Sequence, residues 1–180
     1  MTRQKISLSS PIEEKIAWAR SHYERFGEAF LRERGIADLL ENLRGAVAAS
    51  REEMAQTGIV QICRRCDQEE GGSCCGAGIE NRYDAWLLLI NLLLEVHLSG
   101  ERRRDDACFF WGEHGCILMA RHILCINYLC KNLTDQIDPS TIALLREKEG
   151  AEVNALFIFH ERIKAVLKKW IRESETPSRR

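Results

Sequence analysis

The chain has 180 residues, enough for one domain with an ordinary hydrophobic core, so a second domain is not required. Lys and Arg total 26 against 27 Asp and Glu, and the resulting net charge of −1 supplies no field for drawing in nucleic acid or anionic lipid. The most apolar run, Trp86 to Leu94, is interrupted by Asn91 and far too short for the ~20 residues a membrane helix needs. It reads as a buried helix.

The start, Met1 to Ser10, leads into Glu13-Glu14-Lys15 and lacks the apolar stretch and cleavage site of a secretory signal. The expected compartment is therefore the cytoplasm. From Ser10 to Arg34, Ile12, Ile16, Ala19, Tyr23, Phe26 and Phe30 recur at steps of three and four, and Ser10-Pro11 suits an N-cap and first helical residue. This predicts an amphipathic helix ending near Gly35. Ile36, Leu39, Leu40, Leu43, Val47 and Met54 predict a second, with Gly58 as its stop, so residues 1–58 read as a helical hairpin.

From Gln61 to Asn81 charges and glycines surround four cysteines and no helical period survives, which predicts a loop. Asn81 can cap a helix through Trp86, Leu89, Ile90, Leu93 and Val96 to about Leu98. The run Glu101 to Asp106 reads as a solvated linker. Phe109-Phe110-Trp111 before Gly112-Glu113-His114-Gly115 predicts a short hairpin that brings Cys108 and Cys116 together. Ala120 to Leu133 reads as a helix, and Asp138-Pro139 starts a long last one carrying Ile142, Leu145, Leu156, Ile163, Leu167 and Trp170, with Thr176 to Arg180 fraying. The expected fold is mainly α: a helical bundle around an irregular cysteine-rich centre (59–134) with a short hairpin, and a long C-terminal helix and tail (135–180), all in one compact domain.

All eight cysteines fall between Cys63 and Cys130: Cys63-x2-Cys66, Cys74-Cys75, Cys108, Cys116, Cys125 and Cys130. In a reducing compartment clustered thiols bind metal or do redox work more often than they form disulfides, although an even count keeps a disulfide framework open. Soft thiolates select zinc and iron–sulfur clusters, so all eight are candidate ligands. A Cys-x2-Cys turn lets both sulfurs face one ion, and Arg64 and Arg65 alongside would favour thiolate. Adjacent Cys74 and Cys75 diverge, so the pair feeds two sites or one member packs. Cys125 and Cys130 would stand roughly 140° apart on one helix and can share a centre only if the helix ends between them. His114 and His122 lie in the cluster region but are not needed as ligands, since cysteine alone supplies sulfur for two four-coordinate centres; His22, His97 and His160 read as surface or packing residues.

The order of these residues, with Cys108-Phe109-Phe110, Gly115-Cys116-Ile117 and Arg121-x3-Cys125, resembles the YkgJ-type cysteine-cluster family, described as a zinc- or iron-chelating domain. The match covers Cys63 to Cys130. Two departures stand out: seven residues separate Cys66 from Cys74, more than is usual, and His122 replaces the proline that commonly follows the arginine. The resemblance implies a cysteine-ligated metal centre without a settled reaction. Some larger proteins with a similar cluster resemble flagellin lysine methylases, but no glycine-rich nucleotide loop is present here.

Three functions follow from this reading. One is a metal-binding protein with a structural or metal- or redox-sensing role. Another is a redox or group-transfer enzyme using the cluster or a spare thiol, Cys75 or Cys130. The last is a helical interaction module with a metal staple, whose unspecified protein partner docks on the N-terminal hairpin. The resemblance, together with the scarcity of mixed cysteine–histidine spacing, tips the cofactor toward an iron–sulfur cluster, with zinc the alternative.

Overall fold

The apolar periodicity of the first fifty residues produces two long helices, α1 (Ile12–Arg32) and α2 (Arg34–Gln56), in a computed structural model that describes residues 6–69 and 74–175. Pro11, not Ser10, holds the N-cap of α1, at φ −52° and ψ 151°, and Glu33 alone separates the two helices. Gly35 lies inside α2. As expected, Gly58 follows the end of α2; at φ 81° it adopts the left-handed conformation that glycine tolerates best.

Beyond Gly58 the expected loop is partly helix: Ile59–Gln68 forms α3. The reason is tertiary. Ile59 is buried and Ile62 packs beside it, which places one side of α3 against a small second core while Arg64 and Arg65 stay exposed. A 3-10 turn (Ile79–Arg82) then takes up Asn81, whose carbonyl accepts a 3.1 Å bond from the buried Lys15 Nζ. The cap of α4 (Ala85–Leu93) is therefore Asp84, with Oδ1 accepting from Leu87 N at 2.7 Å. α4 ends five residues before Leu98, near Glu95, which stands at φ 66°.

The predicted hairpin is present as β1 (Trp111–Gly112) and β2 (Gly115–Cys116), antiparallel, with Trp111 opposite Cys116. A Cβ on Gly112 would meet Ile117 Cγ2 at 2.6 Å, so glycine is needed for this close approach. Ala120 to Leu133 is not one helix. It divides into α5 (Ile123–Asn127) and α6 (Lys131–Thr134), with extended backbone at Tyr128 and at Cys130, the N-cap of α6. The chain closes with α7 (Pro139–Glu175), whose start is capped as predicted: Asp138 Oδ1 accepts from Ser140 N at 2.8 Å. The expected frayed tail, Thr176 to Arg180, lies outside the described residues.

Two clusters of apolar side chains hold these elements. In the first, Ile16 and Phe30 of α1, Ile36, Leu43 and Val47 of α2, Leu88 to Ile90 of α4 and Phe159 and Ile163 of α7 meet Phe109, Phe110 and Leu118 from the hairpin region. Each such buried side chain contributes about 1.5–3 kcal/mol relative to exposure. The second joins Ile59, Leu133, Ile137 and Leu145. The architecture is mainly helical with a small two-stranded sheet, as the sequence predicts. Among the described residues no helix is long and apolar enough to cross a membrane.

A thiol-lined cavity as candidate functional site

Cys63 and Cys66, one helical turn apart on α3, share a side of that helix. The tight Cys-x2-Cys turn expected from the spacing is thus a helical turn. Cys74 and Cys75 come next, and the segment after them is stapled to the strand leading into the hairpin. Cys108 N donates to Cys75 O at 2.6 Å, Ala77 N to Asp106 O at 3.0 Å, and Gly76 bridges Ala107.

The run Glu101 to Asp106, expected to be a solvated linker, takes part in this staple. Arg102 pairs with buried Glu80 and donates to Ala107 O. Glu80 also accepts from Gly78 N at 2.9 Å and Phe109 N at 3.4 Å. Burial alone would raise the Glu80 carboxyl, but the Arg102 and backbone bonds hold it below the usual carboxylate range. Arg104 lies 4.9 Å over the Trp111 ring, pairs with Asp106 at 2.8 Å and reaches Asp67 of α3 at 3.9 Å.

These connections frame a cavity of about 550 Å³ lined by six of the cysteines: Cys63, Cys66, Cys74, Cys75, Cys116 and Cys130. Its polar wall sets Arg64, Arg104, Arg121 and His114 alongside Asp67, Glu113, Gln68 and Asn132. The other two thiols lie behind it. Cys108 is buried in the first apolar cluster, and Cys125 packs against that cluster with its Sγ accepting a 3.7 Å bond from Tyr83 Oη. Tyr83 Oη accepts in turn from His122 N at 3.0 Å. His122 caps α5, its Nδ1 accepting from Leu124 N at 3.2 Å; of the two histidines in the region, His114 alone lines the cavity. His22 stacks on Trp18 and His160 bonds Asp84, both packing roles.

Burial pushes the thiols of Cys63 and Cys108 up to about 11 and that of Cys75 to about 12, with neighbouring sulfurs acting in the same direction. Arg64 and Arg65, expected to favour thiolate, do not offset this at Cys63. The cations that oppose burial act on Cys116, and they are Arg121 and Arg51. Arg51 donates to the carbonyls of Leu118 and Met119, which fixes it beside the hairpin. Arg121 is backed by Glu152 of α7, whose carboxylate is fully buried. Neither arginine contact nor the Tyr83, Glu80 and Glu152 partners could be read from local pattern, because each pair is joined only by the fold.

Among the described residues no disulfide links the cysteines, and no three His, Cys, Asp or Glu side chains stand close enough, as placed, to hold one metal ion. The sulfurs are soft donors. On the N-terminal hairpin, Leu8 and Leu31 are the exposed large apolar side chains among the described residues. Compared with family models, with curated proteins and with solved structures, the chain matches none.

Proposed function

We propose that this chain is a metal-binding protein whose clustered cysteines hold an iron–sulfur cluster, or zinc in its place, in a structural or metal- or redox-sensing role. The observation that carries the reading is that six cysteines from α3, the Cys74-Cys75 segment, the hairpin and the start of α6 line one cavity. Thiols gathered this way repel one another as thiolates, and a soft cation is what turns that repulsion into attraction. The donor set therefore fits the group. The cysteine order that carries the resemblance to YkgJ-type domains points the same way.

A structural zinc contributes about 10–16 kcal/mol of apparent binding energy, comparable to the whole stability of about 5–15 kcal/mol of a domain. Binding would consolidate the region between Cys63 and Cys130, where the regular elements are short. The test is anaerobic purification with analysis for iron, sulfide and zinc, visible absorption, and proteolysis with and without chelator. Bound iron and sulfide with visible absorption, or bound zinc without it, together with chelator-induced cleavage between Cys63 and Cys130, is the expected result. A chain that stays metal-free after anaerobic reconstitution, with eight reactive thiols, overturns the reading.

A further inference from the structure

Every buried side-chain nitrogen or oxygen that lacks a hydrogen-bond partner, among the described residues, belongs to one of four residues: Ser50 of α2, Arg121 just before α5, and Glu149 and Glu152 of α7. The four meet in one place, for Arg121 and Glu152 pair at 3.8 Å, Ser50 lies beside Glu152, and Arg121 acts on Glu149. Arg51 and Arg146 border the cluster but are engaged: Arg51 donates to the carbonyls of Leu118 and Met119, and Arg146 to Glu149 Oε2 at 2.6 Å. A polar group taken out of water keeps its desolvation cost until something bonds it. Arg121 is the cation here that still has that bond to make.

Arg121 also belongs to the wall of the thiol-lined cavity. Its side chain is 11 % exposed, and with Nε and Nη2 buried, Nη1 is the nitrogen left to face the cavity. The other cations of the wall are already placed: Arg104 pairs with Asp106 and Asp67 over the Trp111 ring, while Arg64 and His114 are exposed. Met54, Ile59, Ile62, Trp111 and Leu133 give the wall an apolar lining, and free cysteine packs as a small polarizable hydrophobe. The volume of about 550 Å³ falls within the roughly 300–1,000 Å³ of cavities that take small organic ligands. Asp67 and Glu113 on the same wall disfavour a guest with more than one negative charge.

Going beyond the metal-binding reading, we propose that this cavity binds a small amphipathic monocarboxylate: its carboxylate accepts from Arg121, and its apolar body lies against Met54, Ile59, Ile62, Trp111 and Leu133. Glu152 attracts Arg121 from behind without a hydrogen bond, so a guest carboxylate brought to bonding distance supplies the charge-assisted bond that the protein leaves unmade. Glu152 is then a competitor for the same cation. The site uses no metal.

Isothermal titration of the reduced full chain, before and after chelator treatment, tests the site with decanoate, neutral decanol and decyl phosphate. In at least one of the two states one decanoate should bind per chain, with decanol about 10–100-fold weaker for want of the charged bond. Arg121→Met combined with Glu152→Met removes the cation without leaving its partner charge behind, and should weaken decanoate by the same factor while leaving decanol unchanged. Glu152→Gln, which keeps size and shape, should tighten decanoate several-fold and leave decanol unchanged. Equal affinity for decanoate and decanol, decanoate binding that survives loss of Arg121, or no binding in either state overturns the site. Tighter binding of decyl phosphate overturns the single charge, and a decanoate affinity unmoved by Glu152→Gln overturns the competition. Iron, sulfide and zinc analysis decides the metal-binding reading, so the two proposals fail separately.

Discussion

Arg121 Nη2 and Glu152 Oε2 face one another at 3.8 Å in the interior, a charge pair without a hydrogen bond. Both Glu152 oxygens, and Nε and Nη2 of Arg121, are buried without a hydrogen-bond partner. The pair links the start of α5 to α7, and burial raises the Glu152 carboxyl despite the opposing influence of the nearby Ser50 hydroxyl and the attraction of Arg121 and Arg51. Arg121→Met leaves the carboxylate without its nearest cation and should cost about 3–5 kcal/mol at neutral pH, whereas Arg121→Met with Glu152→Met should recover most of that loss. A raised carboxyl pKa contributes stability that is complete in acid and lost as pH rises through the folded value. The deficit of Arg121→Met should therefore shrink on acidification, and urea unfolding across pH measures both effects.

Asp84 carries a different sign. Burial would raise its carboxyl, but the bonds from His160 and Leu87 N, with Lys164 nearby, hold it below the usual aspartate range. A depressed value contributes stability that is present above the ordinary pKa of about 3.9 and is lost as pH falls through the folded value. Asp84→Ala should cost about 1 kcal/mol through loss of the α4 cap. Asp84→Asn, which can still accept from Leu87 N, should retain most of the cap while flattening the acid limb below about pH 4 in thermal unfolding.

Proton release tests thiolate ligation directly. Because burial holds the Cys75 and Cys108 thiols at about 12 and about 11, both are protonated in the metal-free chain at neutral pH. Binding of one ion to four sulfurs should then release about four protons, measured by calorimetry in buffers of different protonation enthalpy. Release of none would rule out thiolate ligands. With thiol values raised by folding, the metal-free chain should also lose stability as pH climbs above about 8.5 toward 11, a loss that metal loading removes.

The parts of the fold that sequence made legible are those whose burial repeats locally. Ile12 to Phe30, Ile36 to Val47 and Leu145 to Leu167 each lay down an apolar stripe at helical spacing, and each became a helix. α3 was hidden because only Ile59 and Ile62 mark its buried side, amid charges and next to a glycine-rich stretch. The break between α5 and α6 was hidden for the opposite reason: Ile126, Leu129 and Leu133 continue a helical spacing, but Cys125 packs on the first cluster and Leu133 belongs to the second. Six of the eight cysteines that the chemistry singles out line one cavity. Arg51, Tyr83, Glu80 and Glu152 left no trace, because a single polar residue on a helix or turn looks solvated until a distant segment arrives to meet it.

Helix α7 supplies Leu145 to the second cluster and Ala155, Phe159, Ile163 and Leu167 to the first. During synthesis neither cluster can be completed until this helix has left the ribosome, well after the last cysteine has emerged. For that interval Cys108, which the finished first cluster buries, is unsheltered. Docking of α7 completes the cluster that encloses it.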